Sequence, residues 1–146
     1  MAFAAAHLNV DVLWKQADVV VLSEVISVDQ GLDTTKAQVR VLQVFKGAEK
    51  PGTFLSIQNP GGKVIINEDQ PAWSTLQTDL LFLQKEASGG YICVNQADGQ
   101  KTVRGRNIYP FHDNMAYSVP LKDYLKALEG TAKAVAAQGK LEAQPA

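Results

Sequence analysis

The sequence predicts a mainly β fold, in which a small antiparallel β-barrel is flanked by a short N-terminal helix and a C-terminal amphipathic helix. Two long stretches rich in β-branched residues, 18–29 and 36–47, predict a pair of neighbouring strands near the start. From Ser118 onward the apolar residues change from strand spacing to helical spacing. About five to seven strands of this length, with a bulge in the second, favour a closed or nearly closed barrel over a sandwich.

The bulk composition fits one globular domain. The chain has 146 residues, of which 46% are hydrophobic and 20% are charged, so we expect one domain over residues 1–138 and a loose tail over 139–146. A net charge of −1 argues against a polyphosphate partner. The single cysteine, Cys93, excludes an intrachain disulfide, and its strand-like surroundings predict a buried thiol.

A short helix is predicted before the first strand. Asn9 is a suitable N-cap, while Asp11 near the start and Lys15 near the end suit the helix dipole. One apolar stripe follows helical spacing, and its members are Val10, Leu13, Trp14 and Ala17. We therefore expect one face of this helix to pack on the sheet.

The first two strands carry the most specific patterns. Residues 19–22 are all apolar, which predicts that the first half of strand one is covered on both faces. In the second strand the apolar positions alternate up to Val41 and then slip by one residue at Leu42. Such a slip predicts a β-bulge, which helps a sheet to curl into a barrel.

The middle of the chain alternates strand-like runs with turn residues. The predicted strands cover residues 53–58, 64–66, 79–84, 91–95 and 101–105. Turns are predicted at 59–62, 88–90 and 97–99, and an exposed loop at 67–71.

The last predicted element is an amphipathic helix that begins after Ser118. Pro120 is acceptable in its first turn, and Gly139 is expected to end it. Its apolar face is formed by Leu121, Tyr124, Leu125, Leu128, Ala132 and Val135.

The order of residues 17–25, 41–47, 61–62 and 80–83, with a Gly-turn-Tyr strand after them, resembles a group of small, mostly exported and mostly uncharacterised bacterial proteins. That group resembles the OB-like barrel of the netrin-like, tissue-inhibitor-of-metalloprotease type, and the likeness covers residues 17–128. Ser23 stands where the pattern usually has Gly, and the N-terminal cysteines with which the inhibitors ligate zinc are missing.

The resemblance implies an OB-like barrel and an extracytoplasmic location, in the periplasm, at the cell surface or secreted. It implies removal of a signal peptide that this chain does not contain. The start of the chain, Met1-Ala2, is equally compatible with a cytoplasmic protein. No apolar run approaches the ~20 residues that a membrane-spanning helix needs.

The leading hypothesis for function is a non-enzymatic module that binds a protein or peptide through its loops. The expected contact regions are residues 59–75 and 104–117, and no metal or cofactor is expected. Large aromatic and basic side chains in irregular segments are common binding anchors. The candidate binding residues are Trp73, Arg104, Arg106, Tyr109 and His112.

Two other function classes stay open at this point. Lys101, Arg104 and Arg106 lie near aromatic residues in the sequence, which is a pattern of single-stranded nucleic-acid binding on OB barrels. That hypothesis requires the three cations to share one face. A hydrolase that uses His112, next to Asp113, would need a nucleophile within hydrogen-bond reach of the imidazole, and the chain has no Gly-x-Ser-x-Gly motif.

Overall fold

The computed structural model describes residues 8–63 and 70–142, which form eight β-strands and two α-helices. The elements are α1 (Val10–Gln16), β1 (Val19–Gln30), β2 (Thr34–Lys46), β3 (Phe54–Pro60), β4 (Thr78–Lys85), β5 (Tyr91–Cys93), a 3-10 turn (Gln96–Gly99), β6 (Gln100–Arg104), β7 (Asn107–Tyr109), β8 (Val119–Pro120) and α2 (Leu121–Glu142). The predicted mainly β fold with a helix at each end is confirmed.

Five of the strands close into a barrel. Their order is β1-β2-β3-β5-β4, and β4 pairs back with β1 to complete the circle. These pairs are antiparallel except for a short parallel contact between β3 and β5, where Ile57 lies opposite Tyr91. Strands β6, β7 and β8 continue the sheet from β4. The barrel is therefore closed and OB-like, as predicted.

The predicted bulge in β2 is present. Gln43 pairs with Leu22 and Val41 pairs with Ser23, so Leu42 between them has no partner on β1. The extra residue turns the Leu42 side chain partly to solvent and lets Val44 return to the barrel core. A bulge of this kind increases the local twist, which a long strand needs to bend around a small barrel.

The barrel strands bury side chains on both faces, which gives two hydrophobic layers. On β1, Val19 and Val21 point into the barrel, whereas Val20 points to the helices. On β4, Leu81 and Phe82 divide in the same way. The inner layer thus fills the barrel, and the outer layer lies between the barrel wall, α1 and α2. This arrangement confirms that the first half of strand one is covered on both faces.

Several boundaries differ from the sequence predictions. The predicted end of the last helix at Gly139 lies three residues before Glu142, where α2 ends, and residues 143–146 of the predicted tail lie outside the described residues. An exposed glycine costs a helix only about 1 kcal/mol, which is not enough to end one. Strands β7 and β8 were not predicted. The predicted strand 64–66 lies outside the described residues, as does the predicted loop as far as residue 69.

Candidate functional site

The segment from Arg104 to Tyr117 brings together three of the predicted site residues. Arg104 ends β6 and Tyr109 ends β7, and the two strands pair directly. The guanidinium carbon of Arg104 lies 5.6 Å from the centroid of the Tyr109 ring, a cation–π distance. Arg106 stands in the exposed turn between the strands. Arg104 and Tyr109 are therefore in contact, and Arg106 lies in the turn of the same hairpin, so we call this part of the sheet the basic edge.

Lys101 does not join this basic edge. Its side chain is buried, and its Nζ donates hydrogen bonds to Asp98 Oδ1 at 3.2 Å and to the Pro110 carbonyl at 2.8 Å. Burial lowers the pKa of Lys101, and the nearby Asp98 carboxylate opposes that change. The nucleic-acid hypothesis requires Lys101 to share a face with Arg104 and Arg106, and the structure does not meet this requirement, because the Lys101 ammonium is buried and bonded inside the protein.

Asp98 joins four parts of the chain. Its Oδ2 accepts hydrogen bonds from the Leu8 backbone N–H at 2.8 Å and from Asn95 Nδ2 at 3.2 Å. Together with Lys101 it links the segment before α1, the 3-10 turn, β6 and the loop after β7. This buried pair was not predicted from the sequence, although Asp98 lies in the predicted turn and Lys101 follows it by three positions.

A cleft with mostly apolar walls, which we call the aromatic groove, opens beside this pair. Its volume is about 270 Å³, and it is lined by Leu8, Asn9, Val10, Leu13, Lys101, Pro110, Phe111, Tyr117, Val119 and Tyr124. Burial raises the pKa of Tyr124, and the Asp98 charge adds to the rise, so the phenol stays protonated. The groove therefore offers aromatic and aliphatic surface with few polar groups.

Three large apolar side chains stand exposed on the loop that supplies Phe111 and Tyr117 to the groove wall. Phe111 is 37% exposed, Met115 40% and Tyr117 46%, and the rings of Phe111 and Tyr117 lie 5.6 Å apart between centroids. All three belong to the single loop between β7 and β8. Clustered exposed apolar residues of this kind mark interaction surfaces more often than isolated ones do.

His112 lies half-buried in the same loop, next to an exposed Asp113. A hydrolase that uses His112 would need a nucleophile next to the imidazole. The thiol of Cys93 lies in a different part of the fold, fully buried in the barrel. Burial raises the pKa of Cys93 strongly, and the charge of Asp79 adds to the effect. This thiol therefore stays protonated and is a weak nucleophile.

Trp73 belongs to a different region. It is half-buried and packs against the hydrophobic layer inside the barrel. The backbone of Ala72 is held next to it, because its N–H donates to Gln100 Oε1 at 3.0 Å and its carbonyl accepts from Gln100 Nε2 at 2.7 Å. Trp73 thus packs over the barrel core, and with Thr35 and Ala72 it lines a cleft that we call the barrel mouth.

A buried carboxylate supports the strand that follows this loop. Asp79 is fully buried near the start of β4, and its two carboxylate oxygens accept from Gln77 Nε2 at 2.8 and 3.0 Å. Burial raises the pKa of Asp79 to about 6, while hydrogen bonds from Gln77, Thr102 and Gln100 limit the rise. From the sequence, Asp79 is predicted only as the first residue of a strand, and nothing in the local pattern marks it as a buried ionisable group.

No protein-family model matches the chain, and the search of curated proteins likewise finds no match. Neither of the two helices in the described part of the chain is long and apolar enough to cross a membrane. Among residues 8–63 and 70–142, no three His, Cys, Asp or Glu side chains are grouped so that they could hold a metal ion. The geometry of the surface clefts is therefore the basis for inferring function.

Proposed function

We propose that this protein is a non-enzymatic binding module that holds a peptide segment of another protein in the aromatic groove. The observation that carries the proposal is the exposed set of Phe111, Met115 and Tyr117 on one loop beside a cleft with apolar walls. Exposing three large apolar side chains together is unfavourable in water, and contact with a partner removes that cost. Aromatic residues also dominate the energetics of many protein interfaces.

The size of the groove favours a side chain over a whole small molecule. Its volume of about 270 Å³ is just below the range of roughly 300–1,000 Å³ that is typical of drug-sized ligand sites. One large apolar side chain of a partner would occupy it and cover the exposed ring of Phe111. The neighbouring peptide backbone would then pass over the loop between β7 and β8.

Two exposed charges in the hairpin of β6 and β7, close in the chain to the groove loop, bear on the sequence around that anchor. Arg104 and Arg106 are exposed, and Arg104 is oriented by its contact with Tyr109. Complementary charges accelerate association and fix the register of a bound segment. We therefore expect the partner to carry acidic residues close to its apolar anchor.

The experiment is selection of a displayed library of random peptides on the intact protein. Selected peptides are expected to share one large apolar residue with Asp or Glu nearby. Replacing the exposed Phe111 by Ala should weaken their binding about tenfold or more, because the anchor loses its main contact. Phe54→Ala is the matched control, since Phe54 is also exposed but lies on β3, and it should leave the affinity unchanged.

Other outcomes would overturn the proposal. Selection of no consensus, or equal losses in the Phe111→Ala and Phe54→Ala variants, would exclude the groove as a peptide site.

A second assay measures binding of homopolymeric single-stranded DNA at several salt concentrations. Steeply salt-dependent binding that is lost in Arg104→Ala, but not in Phe111→Ala, would identify a nucleic acid rather than a peptide as the partner.

An extracytoplasmic location forms part of the same proposal. Its support is the resemblance of residues 17–128 to mostly exported bacterial proteins. Fractionation of cells that express the complete natural gene with a C-terminal tag tests it, and recovery of the tag only with cytoplasmic markers would contradict it.

A further inference from the structure

A further cleft opens in the outer hydrophobic layer, between α2 and the end of β2. Its volume is about 390 Å³, and its apolar walls include Trp14, Phe45, Leu125, Leu128 and Ala132. Trp14 and Leu128 are buried, whereas Phe45, Leu125 and Ala132 are only partly covered. We call this space the helix–strand cleft. Residues of α1, α2 and β2 meet around it without filling it.

The size of the helix–strand cleft suits a small molecule. Its volume lies within the range of roughly 300–1,000 Å³ that is typical of drug-sized ligand sites, whereas that of the aromatic groove does not. One water molecule accounts for about 30 Å³ in the liquid, so the space equals roughly a dozen water molecules. Removing apolar walls from water is favourable. An apolar body of about a dozen non-hydrogen atoms would therefore fill the cleft.

Contacts inside the protein hold the walls of the cleft in place. Lys46 Nζ donates hydrogen bonds to the carbonyl oxygens of Trp14 and Ala17, both at 2.6 Å, which ties the end of β2 to the end of α1. The same Nζ lies 5.5 Å from the centroid of the Trp14 ring and orients the indole. On the opposite wall, Leu128 is buried in the outer layer. A site fixed before binding loses little conformational entropy when a ligand enters.

The polar side chains of the cleft include a cation without a counter-charge in the described part of the chain. These side chains are Gln43, Lys126 and Glu129. The charge of Glu129 is balanced, because its Oε1 lies 3.3 Å from Lys133 Nζ. Lys126, by contrast, forms no ion pair with any residue that the structure describes. The group that complements the cleft is therefore an anion attached to an apolar body.

We propose that the helix–strand cleft binds a small carboxylic acid with an apolar body. The apolar body contacts Trp14, Phe45 and Leu125, and the carboxylate accepts a hydrogen bond from the Lys126 ammonium. A single cation balances a single negative charge, which favours a carboxylate over a doubly charged phosphate. Lys126 is exposed, and ion pairs of exposed lysines are weak. The apolar body thus supplies most of the affinity, and the charge supplies the selectivity.

The cleft shares no residue with the aromatic groove, so each proposal can fail without the other. The probe is 4-phenylbutyrate, and the readout is the indole N–H resonance of each of the two tryptophans in nuclear magnetic resonance spectra. The probe should shift the Trp14 resonance in a saturable way and leave that of Trp73, at the barrel mouth, unchanged. Equal shifts of both resonances, or a shift that rises linearly without saturation, would overturn the proposal.

Two probes with the same apolar body test the role of the charge. The uncharged 4-phenylbutan-1-ol should bind about two- to fivefold more weakly than the acid, the effect of one exposed ion pair, and the cationic 4-phenylbutylamine more weakly still. In Lys126→Gln the acid should lose its advantage over the alcohol. Lys122→Gln removes an exposed cation of α2 outside the cleft and should leave that advantage intact. Equal affinities of the natural protein for all three probes would contradict an acid as the ligand.

A matched pair of variants fills the cleft from the protein side. Ala132→Leu adds apolar volume to the wall and keeps a good helix former, so the affinity for 4-phenylbutyrate should fall about tenfold or more. Ala134→Leu makes the same change at an exposed position of α2 outside the cleft and should have no effect. Unchanged binding in Ala132→Leu, or equal losses in both variants, would overturn the proposal. If Ala132→Leu fails to fold, the comparison of the three probes on the natural protein decides.

A second copy of the chain is the alternative occupant of the cleft. It would shift the Trp14 resonance as the protein concentration rises without any probe, and Ala132→Leu would remove that shift. This outcome would replace the carboxylic acid by a self-association surface.

Discussion

The ionisation of Asp79 affects the stability of the barrel. Its carboxyl is fully buried, and burial raises its pKa from 3.8 to about 6. The folded state therefore binds this proton more tightly than the unfolded state does. Asp79 contributes stability below about pH 3.8, and that contribution is lost as the pH rises toward 6. The pKa difference corresponds to about 3 kcal/mol.

Replacing Asp79 by Asn should remove this pH dependence. Asn is uncharged at every pH and keeps one oxygen that can accept from Gln77 Nε2. The free energy of unfolding of Asp79→Asn, minus that of the natural protein, should rise by about 2–3 kcal/mol between about pH 4 and pH 7. Urea denaturation at both pH values measures it. Parallel stability curves for the two proteins would show that Asp79 is not a buried ionisable group.

The buried pair of Asp98 and Lys101 shows what a single sequence cannot reveal about individual residues. Lys101 follows a turn and precedes Arg104 and Arg106, so its neighbours in sequence predict a solvated basic edge. Its actual environment depends on the Pro110 carbonyl and on Asp98, which also binds the backbone of Leu8, 90 positions away. Contacts between residues so far apart in the chain leave no pattern in the sequence around Lys101. The sequence alone therefore does not distinguish the buried Lys101 from the exposed Arg104 and Arg106.

At the scale of elements, the sequence predicts best where burial imposes a long periodic pattern. Strands β1 and β2 are 12 and 13 residues long, and even the bulge at Leu42 is visible as a change of phase. Strands β7 and β8 have only three and two residues, so no alternation exists to detect them. Their pairing follows from the position of β6, which is a tertiary constraint.

Replacing either of two glycines by alanine is expected to change the stability of the protein, in opposite directions for the two positions. A Cβ added to Gly130, in the exposed middle of α2, would meet no atom within 4 Å, so Gly130→Ala should stabilise the protein by about 0.5–1 kcal/mol. A Cβ at Gly99, in the 3-10 turn, would clash with the Val94 carbonyl oxygen. Because that neighbour is backbone, Gly99→Ala should destabilise by about 1–3 kcal/mol.

Thermal and urea denaturation of both variants measure these effects. The two substitutions add the same methyl group, so each serves as the control for the other. Destabilisation by Gly130→Ala would mean that α2 is not regular at its centre. An unchanged stability for Gly99→Ala would mean that the 3-10 turn has room to move away from the end of β5.

At the scale of the whole molecule, the inner and outer hydrophobic layers share their structural wall. Val20 and Val21 are neighbours on β1, but one packs toward the helices and the other into the barrel. Strand β4 divides its side chains in the same way. A loss of packing on one face of these strands destabilises the other face as well, because the same backbone carries both layers. The barrel and the two helices should therefore unfold as one cooperative unit.

Leu128→Ala tests this cooperativity from the helical side. Leu128 is 1% exposed and anchors α2 in the outer layer, so its truncation should cost about 2–5 kcal/mol. If the layers unfold together, the slowest-exchanging amides of β1 and β4 should lose protection by that same free energy. Amide hydrogen exchange on the folded protein measures it.

The control is Leu32→Ala, because Leu32 is two-thirds exposed and its truncation removes little packing, so exchange should be unchanged throughout. Faster exchange confined to α1 and α2 in Leu128→Ala would contradict a single unit. The helices would then be a separate layer that detaches while the barrel stays folded. That result would also bear on the aromatic groove, since Leu13 of α1 and Tyr124 of α2 form part of its walls. A groove whose walls come from the helices, β6 and the loop after β7 keeps its shape only as long as the helices stay packed on the sheet.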